Sequence, residues 1–504
     1  NTLLHLNEIP MKLLGYDIGS SSVKASILDA ETGQCLAGAF FPKTEMEIKA
    51  VRPGWAEQHP DLWWQNLVLA TREVIGQSRI TASEIKAIGI SYHMHGLVIV
   101  DAKGNVLRPS IIWCDSRAVS IGDKAFKEIG SSVCLENLLN SPGNFTASKL
   151  RWVRENEPEI YRQIYKIMLP GDYIAWRLTG KMVTTPSGLS EGILWDFRKN
   201  SISKEILQYY EIDESLIPEI VPTFSIQGHL TQEAAKELGL MPETTVTYRA
   251  GDQPNNALAL NVLNPGEIAA TAGTSGVVYG VSEEITYDPK SRINTFAHVN
   301  HTPYRNRLGV LLCINGTGIL NSWIRKHVLD GLNYERMNDL ANTIPRGSEG
   351  LLVLPFGNGA ERMLENQDPG AAFVHLNFNI HNASHLIRAA HEGIVFSFAY
   401  GMEIMNQVGI SPSVIRAGNA NMFLSPVFRK SLATLTNTQI ELYDTDGSQG
   451  AARGAGIGAG IYKNFTEAFD NLRKIDSIEP DANMRQPLEE TYKRWKQALE
   501  NYIK

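Results

Sequence analysis

Three short segments of this chain combine residue types that suit the handling of a phosphate group. The run Asp17-Ile18-Gly19-Ser20-Ser21-Ser22-Val23-Lys24 sets a carboxylate and a lysine around a bend of glycine and hydroxyl residues. Such a bend aims backbone N–H groups and hydroxyls at one point, which suits phosphate oxygens, and the aspartate suits a hydrated Mg²⁺ ion. A second bend, Ala272-Gly273-Thr274-Ser275-Gly276, is equally small and rich in donors. Either alone reads as an ordinary hairpin turn, but two opposed donor loops would grip a phosphate chain from both sides, as phosphoryl transfer requires. Neither is a P-loop, because Gly-x4-Gly-Lys-Ser/Thr is absent. Between them, Arg249-Ala250-Gly251-Asp252-Gln253-Pro254 places a carboxylate on a glycine turn. Asp252 there is either a general base toward a substrate hydroxyl or the N-cap of the helix that follows.

Other polar groups cluster at strand ends. Ser91-Tyr92-His93-Met94-His95-Gly96 holds two histidines around a methionine. With no third ligand nearby, zinc is disfavoured, leaving a pair that orients sugar hydroxyls or a buried structural histidine. Trp113, Asp115 and Arg117 form either an ion pair or the wall of a polyol site. The glycine-rich run from Gly450 to Gly460 lacks the strand context and the acid some 20 residues on that a dinucleotide site needs. It reads as a small-residue helix packed closely on its neighbours.

These groups need a scaffold of mixed strands and helices. From Met11 the pattern is strand, Gly/Ser turn, strand, a turn near Gly33 and a third strand. Leu62, Trp63, Leu67, Ala70, Val74 and Ile75 have helical spacing, and residues 85–90 and 97–100 are strand-like, which gives an α/β class. The strand, small-residue bend and strand of residues 267–281 repeat the opening logic half a chain later, as a duplicated architecture would. The Pro-rich start of residues 221–247 suits a crossover, so the boundary is expected near 245. Near the end, Leu488, Tyr492, Trp495 and Leu499 share one helical face.

Composition narrows the function. In 504 residues, 43% hydrophobic and 20% charged, 47 basic groups face 54 acidic ones for a net charge of -7. No broad positive field exists to hold nucleic acid or an anionic membrane, so small-molecule partners are expected. The four cysteines, Cys35, Cys114, Cys134 and Cys313, are scattered and form no disulfide or zinc pattern. No apolar run is long enough to span a bilayer, and a cytoplasmic location is expected. Residues 1–10 read as an upstream extension or vector remnant.

Together these segments resemble the FGGY family of carbohydrate kinases over residues 11–459. GWAEQHP at 54–60 followed by Trp63-Trp64, FTASKLRWV at 145–153, LPGDY at 169–173 and HLIRAAHEGI at 385–394 carry the likeness. Asn144 departs from the family's first signature, and His375 and His391 depart from its second. The resemblance implies two actin-like (ribonuclease H-like) domains with an ATP and sugar cleft between them: an N-terminal domain at 11–245, a C-terminal domain at 246–480 and a final helix at 481–504. It implies transfer of the ATP γ-phosphoryl group to a sugar. Asp252 would be the catalytic base, and Asp17 would hold Mg²⁺. Ser20, Ser21 and Lys24 would form the first phosphate loop and Gly273, Thr274 and Ser275 the second. Met94, His95, Asp252 and Gln253, with Trp55 and Asp115, would line the sugar pocket. Gly316 and Thr317 would flank the nucleotide, as would Gly418 and Asn419.

Within the family, Met94-His95-Gly96, IIWCDSR at 111–117 and TAGTSGV at 271–277 are similar to the xylulokinase pattern, implying conversion of D-xylulose to D-xylulose 5-phosphate. Gln253 departs from it, since xylulokinases commonly carry asparagine there. Kinases for L-ribulose, L-fuculose or erythritol are the alternatives, followed by an actin-like nucleotide-binding protein without catalysis. The expected partners are the sugar and ATP, and a homodimer is left open.

Overall fold

The computed structural model describes residues 10–503, and its chain folds into two compact units. The first takes the chain up to Asn261, with Phe296–Asn306 and Thr445–Leu472, and the second takes Val262–Thr295, Arg307–Asp444 and the chain from Arg473 onward. The boundary thus lies later than the expected 245. The strand Thr245–Gly251 cannot leave the first unit, because it pairs there with both Phe224–His229 and Ile85–Tyr92. The extension expected at residues 1–10 lies outside the described residues except for Pro10.

The first unit is built on a six-stranded sheet. Its order is Phe224–His229, Thr245–Gly251, Ile85–Tyr92, Lys12–Ile18, Val23–Asp29 and Cys35–Phe41. From the Cys35 end the pairings are antiparallel, antiparallel, parallel, parallel and antiparallel. In the second unit the strands Leu308–Ile314, Gly276–Ser282, Glu267–Ala272, Val414–Gly418, Ile440–Tyr443 and Lys474–Ile478 follow in that order. Their pairings repeat the same series of directions. The duplication suggested by the two bends is therefore present in the topology.

Sequence periodicity accounts for the outer elements. The helix Pro60–Ser78 buries Trp63, Leu67, Ala70 and Val74 along one stripe. Here the N-cap is His59, whose Nδ1 accepts from the Asp61 N–H. The last helix, Ala482–Tyr502, buries Leu488, Tyr492, Trp495 and Leu499 in the second unit's core. It belongs to that unit and is not a separate domain. No helix among the described residues is long and apolar enough to cross a membrane.

The glycine-rich run forms the helix Gly447–Gly458, which lies directly on the first unit's central strands. A Cβ built on Gly15 would stand 1.8 Å from the Ser448 carbonyl oxygen, and one on Gly89 would stand 1.9 Å from that of Ala451. No side chain fits such a gap, so helix and sheet meet backbone to backbone. Gly89→Ala is accordingly expected to destabilise the fold by about 1–3 kcal/mol or more through overpacking, seen as a lower thermal midpoint by circular dichroism. An unchanged midpoint would mean that this contact does not set the spacing.

Candidate functional site

The carboxylates of the first unit meet at the ends of its central strands. Asp17, near the end of Lys12–Ile18, stands in register with Lys24 on one side and Ser91 on the other. Ser91 Oγ donates to Asp17 Oδ1 at 2.9 Å. Burial pushes the Asp17 carboxyl above its usual range, the Ser91 hydrogen bond opposes this, and the charge of Asp446 adds to the rise. Ser20 and Ser21 sit on the bend, where Ser20 Oγ accepts from Trp113 Nε1 at 3.3 Å and Ser21 is exposed. Lys24 Nζ is 2.5 Å from Asp446 Oδ2, so the lysine expected on the phosphate loop is held by the aspartate that caps the glycine-rich helix.

Asp252 opens the helix Asp252–Ala259 directly after the strand Thr245–Gly251. Gly251 occupies the cap position and Asp252 is the first residue of the helix, so Asp252 is not the N-cap, although a backbone hydrogen bond from Gln253 in the first turn lowers its carboxyl pKa somewhat. Burial, and next the charge of Asp17, pushes the Asp252 carboxyl up to about 7. Beside it, a Cβ on Gly251 would stand 2.6 Å from Met94 Cγ and 3.0 Å from Glu191 Oε1. Met94 and Glu191 are therefore pressed against the backbone that carries Asp252. Gln253, next along the helix, is partly exposed.

His95 adjoins this group in a left-handed conformation, φ 65°, which costs a non-glycine residue free energy and must be held by its neighbours. Three contacts hold it. Its N–H donates to Glu191 Oε2 at 2.8 Å, its carbonyl accepts from Lys149 Nζ at 2.9 Å, and its Nδ1 lies 2.9 Å from the Glu191 carbonyl oxygen. Tyr92 OH donates to Glu191 Oε1 at 2.6 Å. Burial pulls Lys149 down to about 7 and pushes Glu191 up to about 8. Sequence reasoning missed both residues as site members. Lys149 lies inside the FTASKLRWV segment and was open to recognition there, whereas Glu191 ends a short helix, Pro186–Glu191, with no local signal.

The two histidines part company. His93 is 3% exposed, stacks edge-on against Trp63 at 4.9 Å and has no hydrogen-bond partner among the described residues on either ring nitrogen. Burial keeps it neutral, with its pKa at about 3. Among the described residues, no group of three or more His, Cys, Asp or Glu side chains is arranged to hold a metal ion.

Asp115, offered for the sugar wall, is fully buried. Its oxygens accept from the Ala56 N–H at 2.6 Å and from Arg117 Nη2 at 2.7 Å and Nε at 3.0 Å, so the ion-pair alternative holds. The Arg117 guanidinium lies 3.8 Å over Trp55, which ties that ring into the same structural cluster.

The second unit has its own concavity. The bend of Gly273, Thr274 and Ser275 joins Glu267–Ala272 to Gly276–Ser282. Its carbonyls accept from the helix Gly318–His327: Gly273 O from the Gly318 N–H at 2.8 Å and Thr274 O from the Ile319 N–H at 3.1 Å. Preceding that helix, Gly316 and Thr317 form a loop fixed by the buried Glu361, which accepts from the Asn315 N–H at 3.2 Å and the Gly316 N–H at 3.3 Å. A cavity of about 710 Å³ adjoins, lined by Thr274, Gly318, Asn321, Ser322, Asn338 and Asn421 among others. Its size suits a nucleotide. Gly418 ends the strand Val414–Gly418 and Asn419 follows it, and the cavity wall is taken up by Asn421 and Met422 just beyond them. Asn321 and Ser322, one turn into the helix, were missed, although their helical spacing from Gly318 was readable. Another cavity, of about 740 Å³ and bordered by Arg346, Arg388 and Arg429, shares no lining residue with this one.

Comparison with known proteins agrees with these two halves. Residues 12–259 match the N-terminal domain of the FGGY family of carbohydrate kinases and residues 268–461 its C-terminal domain. The chain is 32% identical to a xylulose kinase of Escherichia coli, over 96% of this chain and 99% of that one. A xylulose kinase structure from Rhodospirillum rubrum superposes with a TM-score of 0.87 at 24% identity, covering 97% of this chain and 98% of that chain. A Plasmodium falciparum glycerol kinase structure does so at 0.87 and 21% identity, covering 98% and 99%, and thus shares the fold. This chain belongs to the FGGY family of carbohydrate kinases, with its two-domain, actin-like fold.

Proposed function

We propose that the protein transfers the γ-phosphoryl group of ATP to D-xylulose, giving D-xylulose 5-phosphate. The observation that carries this is Asp252: a carboxylate at a strand end, raised to about 7, on backbone that packs against Met94. The likeness to the E. coli xylulose kinase supports the choice of sugar. In this reading Asp252 accepts the proton of the attacking hydroxyl, and a base with a pKa near the working pH suits that task. Met94, His95 and Gln253 line the sugar side, and Glu191 and Lys149 keep His95 in its strained backbone conformation. The second unit's bend and cavity take the nucleotide, with Gly273, Thr274, Ser275, Gly316 and Thr317 toward its phosphates. ATP as donor is in keeping with a cytoplasmic enzyme.

Mg²⁺ fits the first unit's carboxylates. The charge of Asp17 raises the Asp252 pKa, a sign of negative charge without a full counterion, and carboxylate oxygens suit a hard cation. Asp17 would hold the ion, which would supply charge stabilisation on the transferring phosphoryl group.

An ADP-release assay with Mg-ATP against D-xylulose, L-ribulose, L-fuculose, glycerol and erythritol tests the assignment. Highest turnover on D-xylulose supports it. Preference for another member moves the specificity to Gln253, and silence across the panel overturns the kinase reading. Asp252→Asn should lower kcat by about 10²–10⁴. It should also raise the melting temperature at neutral pH, because a carboxyl whose pKa is raised on folding opposes folding above its ordinary value. The same shift sets the pH profile: kcat/KM for the sugar should climb as pH rises through about 7 and level off above it. In Asp17→Asn the remaining activity should show this limb displaced to lower pH, since one negative neighbour is gone. An unmoved limb would separate the two carboxylates.

A further inference from the structure

His391, which departs from the family's second signature, takes part in a buried relay. It lies on the helix Ala383–Gln407, fully buried, with both ring nitrogens engaged. Nδ1 is 2.9 Å from Ser425 Oγ and Nε2 is 3.0 Å from Asn321 Oδ1. Ser425 caps the helix Pro426–Thr436, and its Oγ accepts from the Phe428 N–H at 3.2 Å. Among the described residues, the one acceptor for the Ser425 hydroxyl hydrogen is therefore His391 Nδ1.

The proton logic then runs one way. Burial, reinforced by the charge of Arg388, holds His391 neutral with its pKa at about 3. A neutral imidazole that accepts at Nδ1 carries its hydrogen on Nε2. That N–H donates to Asn321 Oδ1. With its oxygen turned to His391, Asn321 presents its Nδ2 hydrogens to the cavity that it lines together with Thr274 and Ser425. An apolar residue at 391 would leave the amide free to turn either face inward.

We propose that Asn321, oriented by His391 and Ser425, is a specificity residue of the nucleotide cavity: a fixed N–H donor for an acceptor atom of the bound nucleotide. The acceptor is a ring nitrogen of the base, or an oxygen of the ribose or phosphates. This rests on the reading of the cavity as the nucleotide site.

Asn321→Asp separates the two faces, because it keeps an oxygen for His391 and removes the donor. His391→Leu removes the tether, and His391→Gln restores a donor and an acceptor. Calorimetric titration of each full-length variant with ADP, and ADP displacement by adenosine or pyrophosphate, reads the effect. Asn321→Asp should weaken ADP at least tenfold, persisting at high salt where simple charge repulsion is screened. His391→Leu should weaken it about three- to tenfold, in line with one hydrogen bond lost or disordered, and His391→Gln should recover most of that. The KM for the sugar should not follow. Loss confined to adenosine puts the acceptor on the nucleoside, and loss confined to pyrophosphate puts it on the phosphates. ADP binding by Asn321→Asp that matches the unmodified protein overturns the proposal, even if His391→Leu fails to fold. Failure of the unmodified protein to bind ADP overturns the nucleotide reading and this proposal together.

Discussion

The helix Gly447–Gly458 rests on the first unit's central strands without side chains between them, and the position of the carboxylates Asp17 and Asp252 follows from that contact. Gly15 and Gly89 leave room for the Ser448 and Ala451 carbonyls, so the helix N-terminus arrives beside Asp17. Asp446 caps it, accepting from the Gln449 N–H at 3.0 Å, and draws in Lys24. Gly447 is held so near Asp17 that a Cβ there would stand 2.6 Å from Oδ2, and its carbonyl accepts from Asn255 Nδ2 on the Asp252 helix at 2.8 Å. One backbone packing thus ties together the elements bearing Asp17, Asp252 and Lys24.

That arrangement has an electrostatic consequence. Asp17 and Asp252 are half-buried, and Lys24 is engaged by Asp446. Both carboxyls are therefore raised. For a structural pair this would be a defect, since a group that resists ionisation opposes folding at neutral pH. For a base that must accept a proton near pH 7 it is the useful state. The left-handed His95 follows the same pattern, in which the buried Lys149 and Glu191 hold a backbone conformation that a relaxed chain would leave.

The second unit repeats the strand directions of the first but applies them differently. Its bend is backed by the N–H groups of Gly318 and Ile319, and its loop at 315–317 is secured by Glu361. The result is a pair of braced loops beside a cavity of nucleotide size. The paired carboxylates have no counterpart at Gly273, where the first bend's Asp17 gives way to small residues alone.

Much of this was legible in the sequence because it rests on local rules. Small residues mark both bends, helical spacing marks Pro60–Ser78 and Ala482–Tyr502, and a carboxylate on a glycine turn marks Asp252. The glycine-rich run announced close packing, since residues without bulk serve contacts rather than surfaces. What sequence could not reach depends on groups far apart in the chain. Asp115 looks like a polar wall until the Ala56 N–H and Arg117 are seen to occupy it, and Lys24 looks like a phosphate ligand until Asp446 arrives from 422 residues away. The sequence motifs carried the resemblance to the family and the fold that it implies, and they singled out Asp252 as the candidate base. Only the tertiary structure decided which charges are paired, which are left raised and which way Asn321 faces, because burial and partner geometry are properties of the folded chain.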